Sequence, residues 1–197
     1  DYLRRDVLIV AMAMRELLSQ GMTRMTASSD SMAEYKDSIG GAGQFSKRFP
    51  TLSTEVDASV RDAYRGGFTY ANVLTAGRLV GAGSIYDVNS LYPYVMSTRP
   101  LPYGSPEIFS GDPPKEGLWV SSASIVARLR DRHVPCIQVK KNPFFRGTEY
   151  QTLIEEPVTL SMSSVDYALW SEQYDLEVLG WHGGVSFASS EDMIVDY

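Results

Sequence analysis

The chain holds a single cysteine, Cys136, among 197 residues, which excludes an internal disulfide framework and suits a reducing compartment. His133 and His182 are the only histidines, and with Cys136 they fall short of the donor set a structural zinc needs. No apolar run approaches the roughly 20 residues that cross a bilayer. The layout of a signal peptide is missing as well. Neither Gly-x-Gly-x-x-Gly nor Gly-Lys-Ser/Thr occurs, so the dinucleotide and P-loop patterns are excluded. No Asp-x-Asp pair is found anywhere. Positive charge is also short: 18 basic residues face 24 acidic ones, for a net charge of -6. A stand-alone nucleic-acid clamp is normally basic, because neutralised phosphates release counterions, so any such contact here must be local. The reading from absences is a soluble, cytoplasmic protein.

What is present is ordinary globular composition, with 44% hydrophobic and 21% charged residues. That is enough for one good core or two small lobes. Asp1 rather than Met opens the chain, directly into a helical pattern, as expected of a segment of a longer protein. Leu3, Val7, Val10, Met14 and Leu17 draw one apolar stripe and predict a helix over 2–19, ended by Gly21. Ser31 with Glu34 reads as a capping box for a short helix that stops before a flexible loop at 40–43. A helix is expected over 54–63 and a turn at Gly66-Gly67. Residues 84–87 read as a short buried strand running into a helix over 89–97, capped by Asn89 or Ser90, with Pro93 tolerated in its first turn. From 99–105 onward Pro and Gly become frequent, and a lobe boundary is placed there. Alternation predicts strands at 118–129 and 136–140, then a capped helix at 164–173 and short strands near 176–180 and 185–187. The fold class is α+β: a partial antiparallel sheet with flanking helices, then a small strand-rich lobe.

Three short motifs carry chemistry. In Asp87-Val88-Asn89-Ser90-Leu91-Tyr92-Pro93 a carboxylate at a strand end is followed at once by a helix N-terminus. Such a joint can hold a hard divalent cation on Asp87 and the Val88 carbonyl, while the free N–H groups of 90–92 face an anion such as a triphosphate. The alternative is a plain strand–turn–helix joint, with Asp87 as a cap and Tyr92 as core. Upstream, Tyr64-Arg65-Gly66-Gly67 offers a ring, a cation and a backbone open to close approach by a sugar–phosphate chain. At the start, Tyr2 and Asp6 stand one helical turn apart on one face.

Taken in order, these segments resemble family B DNA polymerases. Asp-x-x-Ser-Leu-Tyr-Pro is similar to the family's first palm motif, which implies that Asp87 is one of two catalytic aspartates binding two Mg²⁺ ions. By the same resemblance, amides near Ser90 and Leu91 hold the incoming dNTP, and Tyr92 is the gate that excludes a ribose 2′-hydroxyl. Tyr64-Arg65-Gly66-Gly67 resembles the Tyr-x-Gly-Gly motif between exonuclease and palm, a DNA contact. Tyr2 through Asp6 resembles the last motif of the 3′–5′ exonuclease, with Asp6 on metal and Tyr2 orienting water. Met25 through Ser31, Phe49 through Ser53 and the stretch from Pro135 to Tyr150 look like the phage-type, protein-primed branch. Its insertion contacts template duplex and the priming terminal protein, and Lys140, Lys141 and Tyr150 are the residues expected to do so here. The implied organisation is an exonuclease helix over 1–22, the first part of the palm over 23–98 and the insertion over 99–197. The family's second aspartate belongs to a later Asp-Thr-Asp hairpin not found in this sequence, so residues 1–197 alone are expected to be inactive. The competing expectation, from another class, is a non-catalytic DNA- or protein-binding module derived from such a polymerase. The apolar face of residues 2–19 is expected to favour self-association.

Overall fold

The protein was analysed as a computed structural model that describes residues 2–72, 75–139 and 150–190. Two compact units emerge, one up to Pro50 and one from Thr51 onward. The first unit is helical. α1 spans Tyr2–Ser19 on the predicted stripe, and none of its side chains is buried. α2 spans Ala27–Ser38 and starts earlier than the Ser31–Glu34 pattern suggests, because the Thr26 hydroxyl accepts the Ser29 N–H and caps it. The Asp30 carboxylate then accepts both the backbone N–H and the hydroxyl of Thr23, which fixes the entry to the helix. α3, Ala42–Arg48, occupies part of the stretch expected to be loop. It is held to α2 by packing of Tyr35 against Phe45 and Phe49, with Lys36 over the Phe45 ring.

The second unit carries α4 (Thr54–Ala63), α5 (Leu91–Thr98), β1 (Leu101–Phe109), β2 (Leu118–Leu129), β3 (Leu153–Ser163), α6 (Ser164–Gln173) and β4 (Tyr174–Ser190). Its four strands form one antiparallel sheet in the order β1-β4-β2-β3. The chain is therefore α+β, as expected. β2 is a central strand, and its alternation aims Trp119, Ala123, Ile125 and Ala127 at one core, shared with Leu160, Met162, Trp170 and Tyr174. Val120 points to the other face and meets Val185 and Ala63, where α4 packs. The Ser163 hydroxyl and the Asp166 carboxylate close a reciprocal capping box that turns β3 directly into α6.

The sheet lies wholly within residues 101–190, and the strand expected at 84–87 is not formed. Ile85 there is 99% exposed. A run of β-formers becomes a strand only when a neighbour takes its backbone hydrogen bonds, and none of the described residues does so. β1 and β3 escape period-2 reading because Pro102, Gly104 and Pro106 interrupt one and Pro157 the other. Both are edge strands, where proline costs no ladder bond on the open side. The two short strands expected near 176–180 and 185–187 are one, β4, whose register with β2 shifts between Ser121 and Ala123 and again between Ser124 and Ile125. Of the strand expected at 136–140, an isolated bridge between Gln138 and Tyr150 is described, and Lys140 lies outside the described residues.

β4 approaches β1 and β2 most closely at Gly183 and Gly184. Gly183 has φ +77°, and a Cβ added there would meet the Phe109 carbonyl oxygen at 2.7 Å. A Cβ on Gly184 would run into the Val120 carbonyl oxygen and stand 2.8 Å from Ser121 Cα. Between them the buried Ser121 hydroxyl donates to the Gly183 carbonyl at 2.8 Å. At the other end of β4, the fully buried Tyr174 hydroxyl accepts the N–H groups of Cys136 (2.8 Å) and Ile137 (3.2 Å) and donates to the Gln151 carbonyl (2.8 Å). One oxygen thus joins the stretches that flank residues 140–149. Burial pushes the Cys136 thiol up from its ordinary 9.0 to about 11, and the negative charge of Asp166 adds to this while the Tyr174 hydroxyl offsets part of it. Burial raises the Tyr174 phenol as well.

Two outcomes are expected. Gly184→Ala should lower the free energy of unfolding by about 3 kcal/mol or more, since both atoms in its way are backbone; a urea midpoint within error of the parent would contradict this packing. Cys136 keeps its proton more tightly folded than unfolded, so its contribution to stability is complete below pH 9.0 and is lost as pH rises through about 11. Alkylation of Cys136 by iodoacetamide should accordingly climb up to about pH 11. A plateau already reached near pH 9 would show an ordinary thiol.

Candidate functional site

Asp87 and Val88 lie in an exposed stretch without regular structure that feeds α5. Ser90 is the N-cap and sits in the left-handed region at φ 52° and ψ 39°, which turns the chain sharply into the helix. Its side chain makes no capping bond, while its carbonyl accepts the Tyr94 N–H at 2.9 Å and starts the helix. The Leu91 and Tyr92 amides belong to the first turn, where backbone donors have no intrahelical acceptor. Tyr92 is 72% exposed, so it is not the core residue that the purely structural alternative requires. Ser90, not Asn89, is the cap.

A carboxylate next to a backbone carbonyl is the oxygen-donor chemistry that Mg²⁺ takes, and in this Asp87 and Val88 fit the ion. They supply only part of a coordination shell. Among the described residues no group of three or more His, Cys, Asp or Glu side chains gathers to hold a metal. Tyr2 and Asp6 stand on α1 of the first unit, both exposed and one turn apart.

The Tyr64-Arg65-Gly66-Gly67 segment follows the end of α4 directly. Tyr64 is exposed, but Arg65 is not held out toward a passing phosphate. Its Nη1 donates to the carbonyls of Asp62 and Ala63, each at 3.0 Å, and its Nη2 donates to the Ser161 carbonyl on β3 at 2.6 Å. The guanidinium lies 5.8 Å from the centre of the Trp170 ring. Arg65 was expected to meet DNA; in this structure its fork is occupied by the protein's own backbone. Beyond Gly67, Phe68 and Tyr70 form a stacked pair with centroids 6.1 Å apart, and Tyr150 closes on Phe68 at 5.0 Å. The Tyr150 hydroxyl accepts the Thr69 N–H at 3.0 Å. Two motifs separated in sequence are thereby brought together: the residues after Gly67 and the far end of the 140–150 stretch. Lys140 and Lys141 lie outside the described residues. Phe68 and Tyr70 escaped the sequence reading, although the spacing of Tyr64, Phe68 and Tyr70 on an otherwise glycine-rich stretch was the available signal.

Comparisons with known proteins agree on one family. The family described as DNA polymerase type B, organellar and viral, matches residues 1–197. DNA polymerases of Bacillus phage Nf and Bacillus phage phi29 are 40% and 38% identical to the chain, over all of it and over 35% of their own length. The DNA polymerase of Streptococcus phage Cp-1 is 26% identical over the whole chain and 37% of its length. Among solved structures, phi29 DNA polymerase complexed with primer-template DNA and incoming nucleotide substrates superposes with a TM-score of 0.86 at 38% identity. That match covers 98% of this chain and 34% of that one. The chain spans about a third of the length of the relatives it matches, and it belongs to the type B DNA polymerases of organelles and viruses.

Proposed function

We propose that this chain carries one half of the polymerising site of a protein-primed DNA polymerase, with Asp87 as one of its two catalytic aspartates. The observation that carries the reading is the run Asp87 to Tyr92, in the family's order, at an exposed joint whose first-turn amides are open. Asp87 and the Val88 carbonyl hold Mg²⁺, which when bound neutralises charge on the attacking and leaving oxygens of nucleotidyl transfer. The amides of Ser90, Leu91 and Tyr92 receive the triphosphate of a dNTP, and the helix N-terminus favours its charge. Tyr92 packs against the sugar and leaves no room for a 2′-hydroxyl. Tyr64, Gly66 and Gly67 line the path of the primer–template. Asp6 and Tyr2 serve a 3′–5′ exonuclease in the same protein, Asp6 on metal and Tyr2 on the attacking water. Tyr150, with Lys140 and Lys141, meets the duplex and the priming terminal protein. Residues 1–22, 23–98 and 99–197 then correspond to exonuclease helix, palm and insertion, in an enzyme working in the cytoplasm of a bacterial host.

In the complete polymerase, Asp87→Asn should cut template-directed incorporation on the order of 10²–10³-fold or more while leaving primer-template binding in place. Tyr92→Ala, in the same assay, should raise ribonucleotide incorporation relative to deoxyribonucleotide. Unchanged incorporation by Asp87→Asn would make the chain a binding module instead. A polypeptide of residues 1–197 should incorporate nothing, for want of the second aspartate. α1 presents Leu3, Val7 and Val10 uncovered, and through them this polypeptide should self-associate. Sedimentation of the parent and of Val7→Asp with Val10→Asp tests that, and a parent monomeric at all concentrations would refute it.

A further inference from the structure

Arg65 joins three elements of the second unit. Two of its bonds go to the carbonyls of Asp62 and Ala63 at the end of α4, where helix carbonyls lack intrahelical donors. A third goes to the Ser161 carbonyl of β3, an edge strand whose outer carbonyls have no ladder partner. The face of the guanidinium rests toward Trp170 of α6, which is 1% exposed. Independently, the Ser161 hydroxyl donates to the Asp62 carboxylate at 2.7 Å. Ser161 therefore grips both sides of the helix end, by its hydroxyl and by its carbonyl, from 96 residues away in sequence. The enclosed Nε of Arg65 has no acceptor among the described residues, so the fork is seated by its two outer nitrogens.

We infer that Arg65 is a positioning residue: with Asp62 and Ser161 it clamps the backbone on either side of Tyr64, at the entry to Gly66-Gly67, onto the β3–α6 corner. The glycines need such a clamp. Among the described residues neither would meet any atom within 4 Å if it carried a Cβ, so packing by those residues does not hold them. Two glycines in series are the most costly residues to order. With the clamp in place, Tyr64 and the open glycine backbone are presented in one arrangement to whatever strand passes them. A lysine cannot substitute, because a single ammonium lacks the planar fork that reaches α4 and β3 together. The part of this inference that concerns DNA rests on the polymerase reading above. The clamp itself does not.

The test uses the complete polymerase carrying this sequence, as parent, Arg65→Gln, Arg65→Lys and Ser161→Ala. Two quantities are read: hydrogen exchange of the amides of 64–70, and primer-template affinity as a function of KCl. Both Arg65 substitutions should speed exchange at 64–70 with β2 protection unchanged. Both should weaken DNA binding about tenfold, the worth of one charge-assisted hydrogen bond, with the salt dependence unaltered. Ser161→Ala leaves Arg65 and its charge in place and should shift both readouts the same way, by about threefold in affinity. Full affinity in Arg65→Lys, or a salt slope reduced by about one in Arg65→Gln, would assign Arg65 to a phosphate and overturn the clamp. Parental exchange at 64–70 in Ser161→Ala would overturn it too, and that variant decides the matter if Arg65→Gln loses β2 protection through misfolding. If the parent polymerase binds no primer-template, the polymerase reading fails, and the exchange data still judge the clamp.

Discussion

β2 is held along both edges, by β4 on one side and β3 on the other, and its two faces are covered by different helices. Each side chain in the strand is therefore committed, and a slip of one residue would carry Ser124 onto the core face and turn Trp119, Ala123, Ile125 and Ala127 away from it. The close approach of β4 at Gly183 and Gly184 makes that register possible. Backbone from three strands converges there, leaving no room for a Cβ. α4 and α6 dock on what this pairing creates: α4 against Val120 and Val185, and α6 against Trp119 through Tyr167.

The segments that carry the proposed chemistry are placed differently. Asp87 to Tyr92 runs into α5 and Tyr64 to Gly67 leaves α4, and both are largely exposed along their length. Sites that must admit a large anionic substrate are built this way, because a backbone buried in packing has no donors or space to offer. Their order comes from neighbours rather than from their own contacts. α5 fixes Ser90 to Tyr92, and the Arg65 fork and the Tyr150 hydroxyl fix the ends of the glycine segment.

The elements legible in the sequence were those whose signal is local. The stripe of α1, the span of α4, the alternation of β2 and the cap of α6 need only neighbours three, four or two positions away. The motif Asp87 to Tyr92 stood out for a related reason, since the metal and phosphate chemistry proposed for it demands particular residues in a particular short order. The strands β1 and β3 were not legible, because prolines that would veto a central strand are harmless at an edge, and edge or centre is a property of the sheet. The strand expected at 84–87 failed for the converse reason. It had the composition of a strand without the partner.

The sequence by itself determined the family, the helices with strong periodicity and the central strand, and it singled out the residues proposed to meet metal, triphosphate and sugar. Only the tertiary structure decided where Arg65 spends its hydrogen bonds, because its acceptors lie on α4 and on β3, 96 residues away. A guanidinium beside two glycines suits a phosphate as well as a carbonyl, and residue type alone cannot choose between them. The choice is made by which acceptors the fold brings within about 3 Å, and that distance depends on how the edge of the sheet meets the end of a helix.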